Sequence, residues 1–549
     1  MTIIGRPALL PEIFTRWFAS RGWTPRPHQL ELLAKARAGH SALLIAPTGG
    51  GKTLAGFLPS LVELSTHFPS LRKEQRGLHT LYISPLKALA VDVARNLEIP
   101  VAEMRLPLRI ETRTGDTPAS KRQRQRRHPP DMLLTTPEQL ALLLASADAP
   151  YLFGTLRRVV LDELHALVTS KRGDLLSLGL ARLFRIAPEL TSIGLSATVA
   201  EPDDLRRFMV PQRDGLTRAD LIVAEGGAPP QVTMLDSDEH LDQLIPWAGH
   251  SARYALAALY VLIKTHRTTL VFVNTRSQAE GIFQDLWHLN DDNLAIALHH
   301  GSLDVAQRRK VEAAMAAGRL RAVVCTSSLD LGVDWGDVDL VINVGAPKGA
   351  SRLLQRIGRA NHRMEEPSKG VLVPANRFEV LECRAALDAV AENAQDTPAS
   401  RVGALDVLAQ HVLGCACAAP FLADELYREV ATAAPYAQLS RADFDAVVDF
   451  VATGGYALKA YERFARIRQG KDGCWRIAHP IVAQRYRLNV GTIVEADMLK
   501  VRLVRSRASK LIPRGGRLLG EVEEYFIEML VPGDTFVFAG EILKYEALV

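Results

Sequence analysis

Residues 46–53 read Ala46-Pro47-Thr48-Gly49-Gly50-Gly51-Lys52-Thr53 and follow the apolar run Ala42-Leu43-Leu44-Ile45. A strand that runs into a glycine-rich turn and then a lysine at a helix start suits a phosphate group. Glycines let backbone N–H groups curl around the anion, Lys52 can reach the β/γ-phosphates, and the Thr53 hydroxyl can ligate Mg²⁺. The first position is Ala46 rather than glycine, the looser form of this pattern. Further along, Arg158-Val159-Val160-Leu161-Asp162-Glu163-Leu164-His165 is an apolar strand ending in two acids. Asp162 at the strand tip is placed to hold Mg²⁺, and Glu163 can orient and deprotonate an attacking water. Together the two motifs predict a site that binds a nucleoside triphosphate and hydrolyses it.

A second half of this chemistry lies later in the chain. Gln355-Arg356-Ile357-Gly358-Arg359-Ala360-Asn361-His362-Arg363 follows Ser351, a suitable helix cap. From such a helix Arg359 can stabilise charge on the γ-phosphate as an arginine finger, an effect worth ~10³–10⁵ in rate. Thr326-Ser327-Ser328-Leu329-Asp330-Leu331-Gly332-Val333-Asp334 closes a strand with hydroxyls and a Gly-x-Asp. That arrangement could meet a nucleic-acid phosphate on one side and a ribose on the other. Ser196-Ala197-Thr198 ends another apolar strand.

These residues need strands to carry them and helices to follow. Two stretches alternate short apolar strands with amphipathic helices, the pattern of doubly wound parallel sheets. The first covers 25–225, with strands Ala42–Ile45, Thr80–Ile83, Met132–Thr135, Arg158–Leu161 and Ser192–Leu195. The second covers 230–395, with strands Thr269–Val273, Ala295–His299, Ala322–Thr326 and Leu340–Val344. One phosphate loop for two α/β units suggests a nucleotide held in a cleft between them. After residue 400 the spacing predicts helices Leu405–Ala416, Phe421–Ala434 and Arg441–Thr453, then a β-ribbon of Phe464–Arg468 and Cys474–Ile477. Three helices and a hairpin outline a winged helix. Beyond 485 the pattern reads β-rich: Arg487–Val494, Met498–Arg505, Arg517–Leu519 and Thr535–Ala539. The expected division is therefore 1–228, 229–398, 399–482 and 483–549.

Composition sets wide bounds. The chain has 549 residues, 48% hydrophobic and 23% charged, with a net charge of +5. That mild basicity permits a nucleic-acid partner without demanding one. Cys325, Cys383, Cys415, Cys417 and Cys474 are odd in number and lack CxxC spacing, so free thiols in a reducing compartment are expected. No signal peptide and no membrane-length apolar run is evident, which predicts a cytoplasmic protein with no membrane partner.

Taken in order, Gln29, Ala46–Thr53, Pro85–Leu89, Thr136-Pro137-Glu138, Asp162–His165, Ser196–Thr198, Asn274–Arg276, Thr326–Asp334 and Gln355–Arg363 resemble superfamily 2 helicases of the Asp-Glu-x-His type. The Thr326–Asp334 and Gln355–Arg363 segments resemble, more narrowly, the large helicase-related (Lhr) family. Gly520-Glu521-Val522-Glu523-Glu524 and Pro532-Gly533-Asp534-Thr535-Phe536 fit it too, and Asn361-His362-Arg363 resembles its bacterial DNA-ligase-associated branch. The resemblance implies tandem RecA-like domains, a winged helix and a β-barrel-like module. It further implies an ATP-dependent enzyme moving 3′ to 5′ on single-stranded or 3′-tailed DNA in repair, with a DNA ligase and a nuclease as partners. By the same resemblance Gln29 reads adenine, while Thr48, Gly49, Gly50, Gly51, Lys52 and Thr53 hold phosphates and metal. Gly332, Asp334 and Arg363 complete the nucleotide site, and Gln355 joins Arg359 in catalysis. Lys87, Thr136, Thr275, Arg276 and Thr326 touch the nucleic-acid backbone. The position of the family's second arginine finger falls on His362, which leaves His362, Arg363 or neither for that role, and family members generally continue beyond this chain, so the β module is expected to be truncated. Two other readings share the motor motifs: remodelling of RNA or RNA–DNA hybrids, and a nucleic-acid-binding scaffold with a regulatory ATPase.

Among weaker signals, Lys121-Arg122-Gln123-Arg124-Gln125-Arg126-Arg127 is the densest basic run, a solvated face or a phosphate contact. Trp475 could stack on a base or pack in a core. His299-His300-Gly301 reads as a strand-to-loop junction rather than a metal site.

Overall fold

The computed structural model describes residues 9–47, 49–67, 77–197, 201–213, 216–224, 228–235, 245–330, 338–361, 366–392, 394, 396, 401–458, 461, 464–491, 498–504 and 516–549. They form two units. One comprises Met1–Ala46, Gly51–Glu225 and Thr397–Ile493; the other comprises Pro47–Gly50, Gly226–Asp396 and Val494–Val549.

In the first unit, β1 (Ala42–Ile45), β2 (Thr80–Ile83), β3 (Ile110–Thr112), β4 (Met132–Thr135), β5 (Arg158–Leu161), β6 (Thr191–Ser196) and β7 (Asp220–Val223) form one sheet in the order β3-β4-β2-β5-β6-β1-β7. All its ladders are parallel. Strands covered by helices on both faces are nearly continuous apolar runs, and β1, β2, β4 and β5 are buried at every position, the Arg158 at the start of β5 being paired with Glu63. The edge strand β3 is half-buried along its length, so no apolar run announced it.

The winged helix belongs to this unit. Helices Leu405–Ala418, Ala423–Val430 and Arg441–Thr453 and the hairpin of β14 (Ile467–Gln469) and β15 (Trp475–Ile477) share one core with Leu175, Leu178 and Ala181. Those three residues lie on the helix Lys171–Ile186, which follows β5 in the chain. Ion pairs on buried carboxylates reinforce the seam: Arg182 and Arg185 both meet Glu429, and Arg401 meets the fully buried Asp174. The middle helix starts at Ala423 rather than Phe421 because the Phe421 backbone pairs with Trp475 in both directions. The expected strand Arg487–Val494 is overturned at its start, since Pro480–Leu488 is a helix. Proline stands at its first position and His479 Nδ1 accepts from the Ile481 N–H, a cap that outweighs the β-tending residues.

In the second unit, β8 (Gln231–Met234), β9 (Thr269–Val273), β10 (Ile296–His299), β11 (Ala322–Cys325), β12 (Leu340–Val344) and β13 (Lys369–Val373) form a parallel sheet in the order β10-β11-β9-β12-β13-β8. The β module belongs here. Its antiparallel pairs are β16 (Met498–Leu503) with β17 (Arg517–Glu523) and β18 (Thr535–Phe538) with β19 (Glu541–Lys544). It is fastened to the sheet domain by backbone pairing, Asp304 N to Leu519 O and Glu521 N to Ser302 O, both 2.9 Å. Glu280, 4% exposed, also accepts the N–H groups of Ala539 at 2.6 Å and Gly540 at 2.7 Å. His300, expected at a strand-to-loop junction, places Nε2 3.0 Å from the same Glu280 carboxylate. Its neighbour His299 lies between Ser328 and Glu312. The fold is thus α/β, two RecA-like parallel-sheet domains followed by a winged helix and small antiparallel sheets. Among the described residues, no helix is long and apolar enough to cross a membrane.

Candidate functional site

The chain leaves β1 through Ala46 and enters the helix Lys52–His67. Gly49 (φ +75°) and Gly51 (φ +71°) take left-handed backbone that disfavours side chains. At Gly51 space is also closed, because a Cβ would sit 2.8 Å from Gln29 Nε2. Gln29 is 3% exposed; its Oε1 accepts the Arg26 N–H and its Nε2 lies 3.4 Å from Gly51 O. The adenine candidate and the phosphate loop are therefore joined. Lys52 Nζ donates to Ala46 O at 2.8 Å, so its ammonium folds back across the loop. Thr53 follows on the first turn of the same helix. Thr48 and Thr198 lie outside the described residues.

Asp162 and Glu163 leave the C-terminal end of β5, two strands away from β1. Both are buried, 5% and 7% exposed. Asp162 Oδ2 accepts from the Tyr82 hydroxyl at 2.6 Å and Oδ1 from the Glu163 N–H at 2.9 Å. Burial, and then the like charge of Glu163, push the Asp162 carboxyl up to about 6, against the pull of Tyr82 and Lys52. Glu163 has φ +47°, a strained conformation for a residue with a side chain, and it opens the short helix Leu164–Val168. His165, whose imidazole burial holds below its ordinary range, has Nδ1 3.0 Å from Ser196 Oγ and Nε2 3.6 Å from Glu163 Oε2. Ser196 ends β6, so that strand reaches the acid through one imidazole.

The donor set fits a divalent ion. Adjacent buried carboxylates carry more negative charge than Lys52 offsets, and hard oxygen ligands from Asp162 and Thr53 suit Mg²⁺.

In the second unit, Gln355 lies on the helix Ala350–Ile357 and Arg359 just past its end. Arg359 is 3% exposed and its Nε donates to Gln355 O at 3.4 Å, while Gln355 Nε2 is buried with no hydrogen-bond partner among the described residues. Gly332, Asp334, His362 and Arg363 lie outside the described residues. Sequence reasoning missed Arg356, which is 2% exposed. Its Nε donates to Asp330 at 2.9 Å, it bonds Asn343, and its guanidinium lies 5.0 Å from the Phe272 ring centre. The signal was available: Ala350, Leu353 and Ile357 form the buried face, and Arg356 shares it.

The backbone-contact candidates all stand where a parallel strand ends. Lys87 opens the helix Lys87–Glu103 after β2 and lies 3.3 Å from Asp116. Thr136 stands at the N-cap position of the helix Pro137–Leu144 after β4 without a side-chain cap bond, whereas Thr275 caps Arg276–His288 after β9, accepting from the Gln278 N–H at 3.1 Å. Thr326 precedes a 3₁₀ turn after β11. Helix N-termini present N–H groups and a positive dipole end to phosphates. Arg276 is engaged inside the protein, with Glu523 and Ser302. Much of the basic run is engaged as well: Arg122 with Thr114 O and Gly115 O, Arg124 with Glu111, Arg126 with Asp148. Trp475 is half-buried against the winged-helix core. His411, Cys415 and Glu429 come within 4.8 Å of one another, but Arg182 and Arg185 already neutralise Glu429, which argues against a cation there.

Comparison with known proteins identifies the family of the chain. Residues 26–205 match the DEAD/DEAH box helicase family, 254–364 the helicase conserved C-terminal domain, and 388–549 the winged helix domain of large helicase-related protein. "ATP-dependent helicase Lhr-Core protein 2" of Thermococcus barophilus is 36% identical over 98% of this chain and 62% of its own length. "ATP-dependent helicase Lhr-Core" of Methanothermobacter thermautotrophicus is 36% identical over 92% of this chain and 59% of its own. A structure of Mycobacterium smegmatis helicase Lhr bound to ssDNA and AMP-PNP superposes with a TM-score of 0.76 at 33% identity, covering 89% of this chain and 63% of that one. The chain spans about three fifths of the length of these relatives. It belongs to the Lhr family of superfamily 2 helicases.

Proposed function

We propose that this protein is an ATP-dependent translocase that moves 3′ to 5′ on single-stranded DNA and separates duplexes during DNA repair. The observation that carries the reading is the joined constellation of Lys52, Asp162, Glu163, His165 and Ser196 at the ends of β1, β5 and β6. An incoming γ-phosphate replaces Ala46 O as the partner of Lys52, and Gln29 selects the base. Thr53 and Asp162 would hold Mg²⁺, which supplies charge neutralisation at the β/γ-phosphate oxygens. Glu163 takes a proton from the attacking water. Arg359, with Gln355 beside it, adds positive charge as the γ-phosphoryl leaves. Gly332, Asp334 and Arg363 complete the pocket by family resemblance. Lys87, Thr136, Thr275, Arg276 and Thr326 grip the strand, with Arg276 exchanging Glu523 for a phosphate. The winged helix travels with the first RecA-like domain and the β module with the second, so each domain carries its own accessory element. The His165–Ser196 contact gives Glu163 a route for reporting hydrolysis to the sheet. A DNA ligase and a nuclease are the expected repair partners.

Glu163→Gln tests the reading. It keeps the side-chain shape and should retain ATP binding while DNA-stimulated phosphate release falls by ~10²–10⁴. Release at the wild-type rate would remove Glu163 from the chemistry. Unwinding of matched 3′-tailed and 5′-tailed DNA and RNA–DNA duplexes decides polarity and substrate; preference for the hybrid would move the function to hybrid remodelling.

A further inference from the structure

We infer that Tyr82 is a positioning residue of the ATP site, holding the Asp162 carboxylate in the one orientation that presents it to a metal ion. The inference rests on the proposal that Asp162 ligates Mg²⁺.

Tyr82 lies in β2, between β4 and β5, and is fully buried. Its strand neighbours Leu81 and Ile83 are aliphatic. A position that required only volume would take phenylalanine, because a buried hydroxyl is unfavourable unless it is hydrogen-bonded. The partner here is the acid itself, with Oδ2 accepting from Tyr82 at 2.6 Å. A carboxylate's terminal torsion is broad and is not set by rotamer preference alone. Two donors on opposite oxygens fix it, Tyr82 on Oδ2 and the Glu163 N–H on Oδ1 at 2.9 Å. Each oxygen keeps lone-pair capacity for a further partner. The ring is fixed as well. It stacks on Phe57 with centroids 5.3 Å apart and planes 28° apart. Phe57 is on the helix that begins with Lys52 and Thr53. One side chain therefore ties the phosphate-loop helix to the acid on the neighbouring strand, setting the two proposed Mg²⁺ ligands relative to each other.

Partners that orient a ligating carboxylate or imidazole typically contribute ~10–100-fold in metal affinity. The test is a titration of Mn²⁺, followed by its electron paramagnetic resonance signal in the presence of AMP-PNP, on wild type, Tyr82→Phe and Asp162→Ala. Tyr82→Phe keeps the ring and should raise half-saturating Mn²⁺ about tenfold. Excess Mg²⁺ should then restore its DNA-stimulated turnover. A purely structural role predicts the opposite: unchanged half-saturation, with turnover lowered equally at every Mg²⁺ concentration. Either result overturns the positioning role while leaving the ATPase reading intact. A wild-type signal that does not change in Asp162→Ala would overturn the metal assignment, and the role of Tyr82 with it.

Discussion

Replacing Glu280 with alanine should loosen the β18–β19 hairpin from the second RecA-like domain. The carboxylate is 4% exposed and accepts the N–H groups of Ala539 and Gly540 at the hairpin tip, at 2.6 and 2.7 Å, besides lying 3.0 Å from His300 Nε2. Its loss strands two backbone donors, each costing ~1–3 kcal/mol when buried unpaired. Water entering the vacated space offsets part of this, leaving about 3 kcal/mol. The rest of the module stays tied down, because β17 still pairs with Ser302 and Asp304. The change is therefore a local opening, readable by amide hydrogen exchange. At 1.4 kcal/mol per decade, amides of residues 535–544 should exchange ~10²-fold faster. Those of β9 to β13 should change little. Glu280→Gln keeps one acceptor oxygen and should recover part of the protection. Unchanged exchange at the hairpin in Glu280→Ala would refute the clamp and leave docking to apolar contacts such as Ala539 with its neighbours in the second-domain core.

Further outcomes are expected at Gly51, Gly22 and Glu63. Gly51→Ala combines a left-handed φ of +71° with a Cβ 2.8 Å from Gln29 Nε2, so ATP affinity by calorimetry should fall at least ~10-fold. Gly22→Ala, with φ +66° and open space, should leave it unaltered. Glu63 is held down at about 2 by its contact with His79 and by the Arg158 guanidinium, 2.9 Å away. A carboxyl depressed on folding stabilises above its unfolded pKa of about 4.5 and loses that contribution as pH falls toward 2. Glu63→Gln should thus be ~1 kcal/mol less stable to urea at pH 7, solvent screening at a partly exposed carboxylate considered, with the gap closing between pH 4.5 and 2.

What could be read in advance follows from what each residue must do. Central strands such as β1, β2, β4 and β5 are covered on both faces, so their burial appears as nearly continuous apolar runs. Edge strands such as β3 and β8 are half-covered; β8 alternates between exposed and half-buried positions and gave no such run. The helix Pro480–Leu488 was hidden by β-tending residues whose helical state depends on a cap and on Tyr486 packing against Gly414.

The site divides the same way. Phosphate, metal and proton chemistry restrict residue type and local spacing, so Lys52, Thr53, Asp162, Glu163 and Arg359 were nominated from the chain alone. Residues that orient them belong to other strands and have no required spacing. Tyr82 precedes Asp162 by |i−j|=80 and meets it only because β2 lies beside β5. Arg356 reads as one more cation until β11 and β12 bring Asp330 and Asn343 against it. Attachment of the accessory elements was equally illegible, for Glu280 finds Ala539 across |i−j|=259. The sequence by itself determined the reacting groups, because chemistry is local. Only the tertiary structure decided what holds them still, because orientation comes from neighbours that the sheet order brings together.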